Sequence, residues 1–124
     1  MKILVCEDDR LMQKALNVIL GKEGFEIFQA LDGNEAFDMV NTNEYDLLIV
    51  DIHLPYSSGI ELIEHVRHNL LKDTPIIVVT AISNPVIRNQ AESLGIDKYI
   101  LKPYDPKELV KTINASVKKK YNHS

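Results

Sequence analysis

The chain has almost no cysteine, no surplus of positive charge and no apolar run of membrane length, and each shortage closes off a class of function. Its single cysteine, Cys6, cannot form an intramolecular disulfide or supply a paired-cysteine metal site. Cys6 ends the apolar run Ile3-Leu4-Val5-Cys6 and reads as a small buried strand residue, with a redox role as the alternative. With 14 Lys and Arg against 18 Asp and Glu, the net charge of −4 gives this domain no electrostatic basis for holding nucleic acid or an anionic membrane directly. No apolar segment approaches the ~20 residues of a membrane span, and no basic stretch leads a signal-peptide core. A cytoplasmic location is the expectation. Repeats, low-complexity segments and internal linkers are also missing, so the 124 residues, 45% hydrophobic and 26% charged, suit one globular domain over 1–124.

What is present is an alternation. Short apolar runs at Lys2–Cys6, Phe25–Gln29, Leu47–Val50, Ile76–Thr80 and Lys98–Leu101 alternate with stretches of helical period. Leu47-Leu48-Ile49-Val50 and Ile76-Ile77-Val78-Val79 are apolar throughout, as central parallel strands covered on both faces must be. Leu11, Ala15 and Ile19 recur at four-residue steps, with Met12, Leu16 and Leu20 beside them as core. Leu62, Ile63, Val66 and Leu70 repeat the spacing, as do Ile87, Ala91 and Leu94, then Leu109, Ile113 and Val117. Gly21, Gly24 and Gly95 follow helical stretches as C-terminal caps do, and Ser83 or Asn84 before Pro85 reads as an N-cap. Short connections between alternating strands and helices predict an α/β, doubly wound (βα)5 three-layer sandwich. Lys118-Lys119-Lys120 reads as a solvated, fraying helix end suited to the dipole, with a linker stub or a nucleic-acid contact as alternatives.

Ligands of open parallel sheets bind beyond the carboxyl ends of the strands. The first strand is followed by Glu7, Asp8 and Asp9, the third by Asp51, the fourth ends in Thr80 and the fifth leads into Lys102-Pro103. The second, ending at Gln29-Ala30, brings no charge. Converging carboxylates repel, so one must take up a proton or recruit a cation. Hard oxygen donors favour Mg²⁺ (or Mn²⁺), which keeps waters and leaves positions for phosphate oxygens. Singly, each residue has an ordinary reading: a carboxylate as a helix cap, a lysine on the surface, a threonine in a strand. Asp9 is assigned that ordinary role, capping the first helix.

Together the residues resemble a family. Val5-Cys6-Glu7-Asp8-Asp9, Leu48-Ile49-Val50-Asp51 followed by Leu54-Pro55 and Gly59, Val79-Thr80-Ala81, and Tyr99-Ile100-Leu101-Lys102-Pro103 are similar to the receiver domains of two-component signal transduction, the CheY-like response regulators. The resemblance covers essentially the whole chain. It implies a flavodoxin-like five-stranded sheet of order 2-1-3-4-5. It implies that Asp51 accepts a phosphoryl group and ligates Mg²⁺ with Asp8 and the backbone carbonyl of His53, while Glu7 acts through water. Thr80 would hydrogen-bond the phosphoryl group, Lys102 would pair with it, and Tyr99 would turn inward as Thr80 moves. The donor would be a sensor histidine kinase or histidine phosphotransfer protein. The output would be a changed face of fourth helix, fifth strand and fifth helix acting on a partner or output domain. Turnover would be limited to self-phosphorylation and slow self-hydrolysis, so the protein is not expected to be an enzyme in the ordinary sense.

Some positions depart from the family's habit. His53 and Ile82 flank the site and should govern water access. Ser58 replaces a frequent Asp and should cap the third helix, in which His65 and His68 are expected to be solvated. Arg88, Asp97 and Glu108 suit an ion-pair dimer network, but Lys98 and Thr112 do not, so a monomer or a weak, phosphorylation-dependent dimer is expected. An atypical, unphosphorylated receiver would lack Asp8, Asp51 or Lys102, and all three are here. A haloacid-dehalogenase-like phosphatase would want an acid where His53 stands, and room for a substrate cap.

Overall fold

A computed structural model of the chain describes residues 1–122, with side chains described as far as Lys119. Five strands, β1 (Lys2–Cys6), β2 (Glu26–Ala30), β3 (Leu47–Val50), β4 (Ile76–Thr80) and β5 (Lys98–Leu101), form one parallel sheet in the order β2-β1-β3-β4-β5. The helices are α1 (Arg10–Gly21), α2 (Gly33–Thr42), α3 (Gly59–Glu64), α4 (Pro85–Ser93) and α5 (Pro106–Asn122). The expected architecture and strand order are therefore present; β2 starts one residue later than its apolar run.

Strand side chains alternate between two cores, as the period of two requires. Leu4, Cys6, Leu48, Val50, Ile76 and Val78 point to the side covered by α2, α3 and α4, where Ala36, Val40, Leu62, Ile63 and Ala91 meet them. Ile3, Val5, Leu47, Ile49, Ile77 and Val79 point the other way, towards Leu16 and Leu20 of α1 and Leu109 and Ile113 of α5. That double coverage explains the unbroken apolar strands. Truncating a fully buried member such as Leu62 to alanine typically costs about 2–5 kcal/mol.

The helix ends follow local chemistry. Asp9 caps α1 by accepting from Leu11 and Met12 N–H, Asn84 (rather than Ser83) caps α4, and Ser58 forms a reciprocal capping box with Glu61 at α3. Gly24 (φ 80°) and Gly95 (φ 82°) take the left-handed turns that reverse the chain, whereas Gly21 is the last residue of α1 itself.

Three readings of the sequence need correction. On α1, Leu11 is 77% exposed and Ala15 is exposed, and the inward stripe is Met12, Gln13, Leu16, Ile19 and Leu20. Two adjacent apolar stripes satisfy the same period. What decides between them is a polar demand, since Gln13 Nε2 donates to the carbonyls of Glu7 (2.7 Å) and Ala30 (3.3 Å) at the ends of β1 and β2. The third helix, secondly, widens into a π-helical turn over His65–Asn69. Within it His65 is half-buried, stacks near Phe37 and hydrogen-bonds Asn41 and Asn69, so of the two histidines there only His68 is exposed. Thirdly, Gly21 lies inside α1 rather than capping it, and Gly24 makes the left-handed turn beyond it; elsewhere Arg88 pairs with Glu92, and Asp97 accepts from Ile76 N–H. Lys118 and Lys119 are exposed as expected, while the side chain of Lys120 and the residues after it lie outside those described.

Cys6 is fully buried, and that burial pushes its thiol up to about 12. The folded protein should therefore resist iodoacetamide at pH 8 and react within minutes once denatured. Rapid labelling of the folded protein, read by intact mass, would show that the end of β1 is open.

Candidate functional site

The parallel register carries four strand ends to one rim. Glu7 N–H pairs with Ala30 O (3.1 Å), Asp51 N–H with Cys6 O (3.0 Å), and Lys102 N–H with Thr80 O (2.8 Å), so each residue continues its strand's alignment just past the last ladder pair. Glu7, Asp51 and Thr80 are buried, Asp8 is exposed and Lys102 is partly buried.

Asp51 sits at the centre. Its Oδ1 accepts from the Thr80 hydroxyl at 2.7 Å and from His53 N–H at 3.0 Å, and its Oδ2 accepts from Lys102 Nζ at 2.8 Å. The same ammonium donates to Glu7 Oε1, and Glu7 Oε2 accepts from Asp9 N–H at 3.2 Å. Gly59, at the start of α3, lies so close behind Asp51 that an added Cβ would come within 2.4 Å of the Asp51 carbonyl oxygen. The glycine of the family-like run is thus required by the close approach of α3 to the backbone that carries this carboxylate.

The electrostatics follow from burial and pairing. Burial is the largest influence on Glu7 and holds its carboxyl above the usual range, against the pull of Lys102 and the Asp9 N–H. Burial works against the Lys102 ammonium too, but hydrogen bonds from it to Asp51 and Glu7 prevail and hold it above the ordinary lysine range. The raised lysine value means that its contribution to stability is complete below about pH 10.4 and is lost as pH rises through the folded-state value.

Carboxylate oxygens of Glu7, Asp8 and Asp51 lie within 4.8 Å of one another, the one such acid, histidine or cysteine group among the described residues. One ammonium serves two buried carboxylates, and exposed Asp8 adds a third acid facing solvent. This all-oxygen donor set fits a hard divalent cation such as Mg²⁺ and offers no nitrogen or sulfur for zinc. The His53 side chain is exposed.

Tyr99 is 6% exposed and already lies inward, its hydroxyl donating to Ile82 O at 2.6 Å and its ring under the Arg88 guanidinium at 5.4 Å. Ile82 N–H in turn approaches Thr80 Oγ1 at 3.4 Å. Expected as an aromatic that turns inward, Tyr99 holds the inward position here. Gln13, whose amide braces the Glu7 and Ala30 carbonyls, is the residue that sequence reasoning missed; its signal was a lone amide inside an apolar helical stripe.

A sheet of this order with three acids, a hydroxyl and a lysine on its carboxyl rim defines a receiver domain, whose acidic pocket fits a phosphoacceptor. The chain belongs to the response regulator receiver domain family, whose sequence model matches residues 3–114. It is 31% identical over 121 residues to the transcriptional regulatory protein CrdR of Helicobacter pylori, covering 98% of this chain and 55% of that protein. The chain thus spans about half the length of this curated relative. A solved CheY-like receiver domain protein from Methanospirillum hungatei JF-1 is 27% identical with a TM-score of 0.94, covering 99% of this chain and 98% of that one. The response regulator TrrA of Thermotoga maritima, solved in complex with Mg(2+)-BeF, is 34% identical with a TM-score of 0.82, covering 92% and 96%. No helix among the described residues is long and apolar enough to cross a membrane.

Removing the shared ammonium isolates two buried carboxylates. In chelator-treated buffer at pH 7, Lys102→Met should lower the unfolding free energy by about 1–3 kcal/mol. The deficit should shrink on acidification, as Glu7 takes up a proton through its raised range, and close above about pH 10.4 as wild-type Lys102 is neutralised. Urea unfolding across pH checks this, and equal stability of the two proteins at pH 7 would show that the ion pairs contribute nothing.

Proposed function

We propose that this domain is a phosphoacceptor switch in a two-component phosphorelay, with Asp51 as the nucleophile. The observation that carries the reading is the arrangement around that carboxylate. Oδ1 is oriented by two donors, Thr80 and His53 N–H, and Oδ2 by Lys102, at the mouth of an acidic rim. A carboxylate fixed in this way is held for attack at phosphorus rather than left to rotate.

In the proposed step an Asp51 oxygen forms a bond to phosphorus as the bond from phosphorus to the donor's imidazole nitrogen breaks. The imidazole leaves with the electron pair and takes up a proton. An anion attacking an anion needs charge neutralised. Lys102 supplies part of this by pairing with the transferred phosphoryl oxygens. Asp8, Asp51 and the His53 carbonyl would hold Mg²⁺ (or Mn²⁺), with Glu7 acting through water; the cation, when bound, offsets the charge of the phosphoryl oxygens. Thr80 would exchange its bond to Asp51 for one to the phosphoryl group. The product is an acyl phosphate, which water hydrolyses, so self-dephosphorylation ends the signal. No other turnover is expected.

The Thr80–Ile82–Tyr99 contacts give the new charge a physical route to the face of α4, β5 and α5. On this reading phosphorylation shifts the weight of a two-state equilibrium in that face. A histidine kinase or histidine phosphotransfer protein is the proposed donor.

Incubation with acetyl phosphate and Mg²⁺ should add one phosphoryl group, located at Asp51 by peptide mapping and abolished by Asp51→Asn. Labelling elsewhere, or none at all, contradicts the assignment. Millimolar Mg²⁺ should also raise the melting temperature by a few degrees, because it binds the folded acid cluster, and Asp8→Asn should remove most of that shift. Catalytic turnover of a generic phosphomonoester would favour a phosphatase instead.

A further inference from the structure

Charge is strongly segregated along the chain. Helix α5 contains five lysines and one glutamate, a surplus of four, so the remaining residues carry −8 of the total −4. Two of these five lysines meet a lysine of β5 at one place. A groove of about 290 Å³ runs between the start of β5 and α5, lined by Lys98, Lys111 and Lys119 with Ala115 and Ser116 as its small-residue floor. All three lysines are exposed, and none has an ion-pair partner among the described residues.

The acid that does line the groove does not neutralise them. Asp97 turns its Oδ1 to Ile76 N–H at 3.2 Å, and its charge acts on Arg67. Unpaired like charges side by side raise the local potential, and a partner of opposite sign relieves it.

We propose that this groove docks an acidic protein segment. Lys111 and Lys119 stand two helical turns apart, which is about 12 Å along the axis. An extended peptide covers that distance in about four residues, so carboxylates recurring within such a stretch reach both lysines while Lys98 holds a third. The small floor of Ala115 and Ser116 lets the peptide backbone approach closely. A peptide is favoured over nucleic acid because the chain outside α5 carries a net −8, which a long polyanion would meet. The groove lies at the opposite end of β5 from Lys102, on the face of α4, β5 and α5 named above; docking rests on that part of the proposed function and not on the chemistry at Asp51. It also gives Lys98 a use, where the ion-pair dimer pattern of the family would have placed an acid.

The test is fluorescence anisotropy with a labelled octapeptide of alternating glutamate and serine, beside its glutamine counterpart and an oligothymidylate of equal length. The glutamate peptide should bind, weaken at least tenfold between 50 and 300 mM salt, and weaken at least tenfold in Lys98→Glu/Lys111→Glu/Lys119→Glu. The corresponding triple arginine variant should stay within about twofold of wild type. On the unmodified protein, amide shifts should move at Lys98, Lys111, Ala115, Ser116 and Lys119, which keeps the test independent of any folding defect in the variants. No binding at millimolar peptide, equal binding of the glutamine peptide, shifts centred on Asp8 and Asp51, or tighter binding of oligothymidylate would each overturn the proposal.

Discussion

One ammonium shared between two buried carboxylates is the constraint on which this structure turns. Lys102 reaches both Glu7 and Asp51, residues that are 3% and 5% exposed, and burying two carboxylates is costly unless such a cation pairs with them. The three side chains come from three different strand ends, so no local segment can build the group; only the register of the whole sheet does. Gly59 shows how tightly the surroundings close on it, because α3 begins where even a methyl group would strike the Asp51 carbonyl. The rim is therefore an expense that the double-sided apolar core has to sustain, and its incomplete neutralisation makes it receptive to further positive charge.

The same geometry ties the rim to a distant surface. Thr80 touches Asp51 through its hydroxyl and lies beside the Ile82 amide, and the Ile82 carbonyl holds the Tyr99 hydroxyl. Arg88 of α4 covers the Tyr99 ring. A change in what Thr80 bonds thus alters the partners of a buried aromatic and a helix-borne cation through three contacts.

How much of this is legible in the sequence differs by element. Four of the five strands coincide with their apolar runs, because strands covered on both faces must be apolar at every position. The site residues were legible for a related reason. Singly each has an ordinary reading, but Glu7, Asp51, Thr80 and Lys102 all stand at the carboxyl ends of different strands, where an open parallel sheet binds its ligands. The inward stripe of α1 was not legible, since Leu11-Ala15 and Met12-Leu16 carry the same period, and the choice rests on the need of two strand-end carbonyls for the Gln13 amide. His65 escaped for a similar reason. Its burial depends on Phe37 and Asn41 of α2, contacts 24 or more residues away in sequence that no local pattern encodes.

The segregation of charge along β5 gives this architecture its polarity. One end of the strand delivers Lys102 into a pocket of acids, where the lysine is consumed internally; the other begins with Lys98, beside helix lysines that nothing internal consumes. An acidic chain carrying a single basic groove attracts oppositely charged partners to one location and repels them elsewhere, and so gains orientation as well as attraction. Tyr99 follows Lys98 directly in the strand, so the buried ring that senses Thr80 and the first lysine of the groove share one stretch of backbone. Any displacement of that strand edge moves both. Coupling between rim and groove then needs no long-range wire, only the stiffness of a four-residue strand.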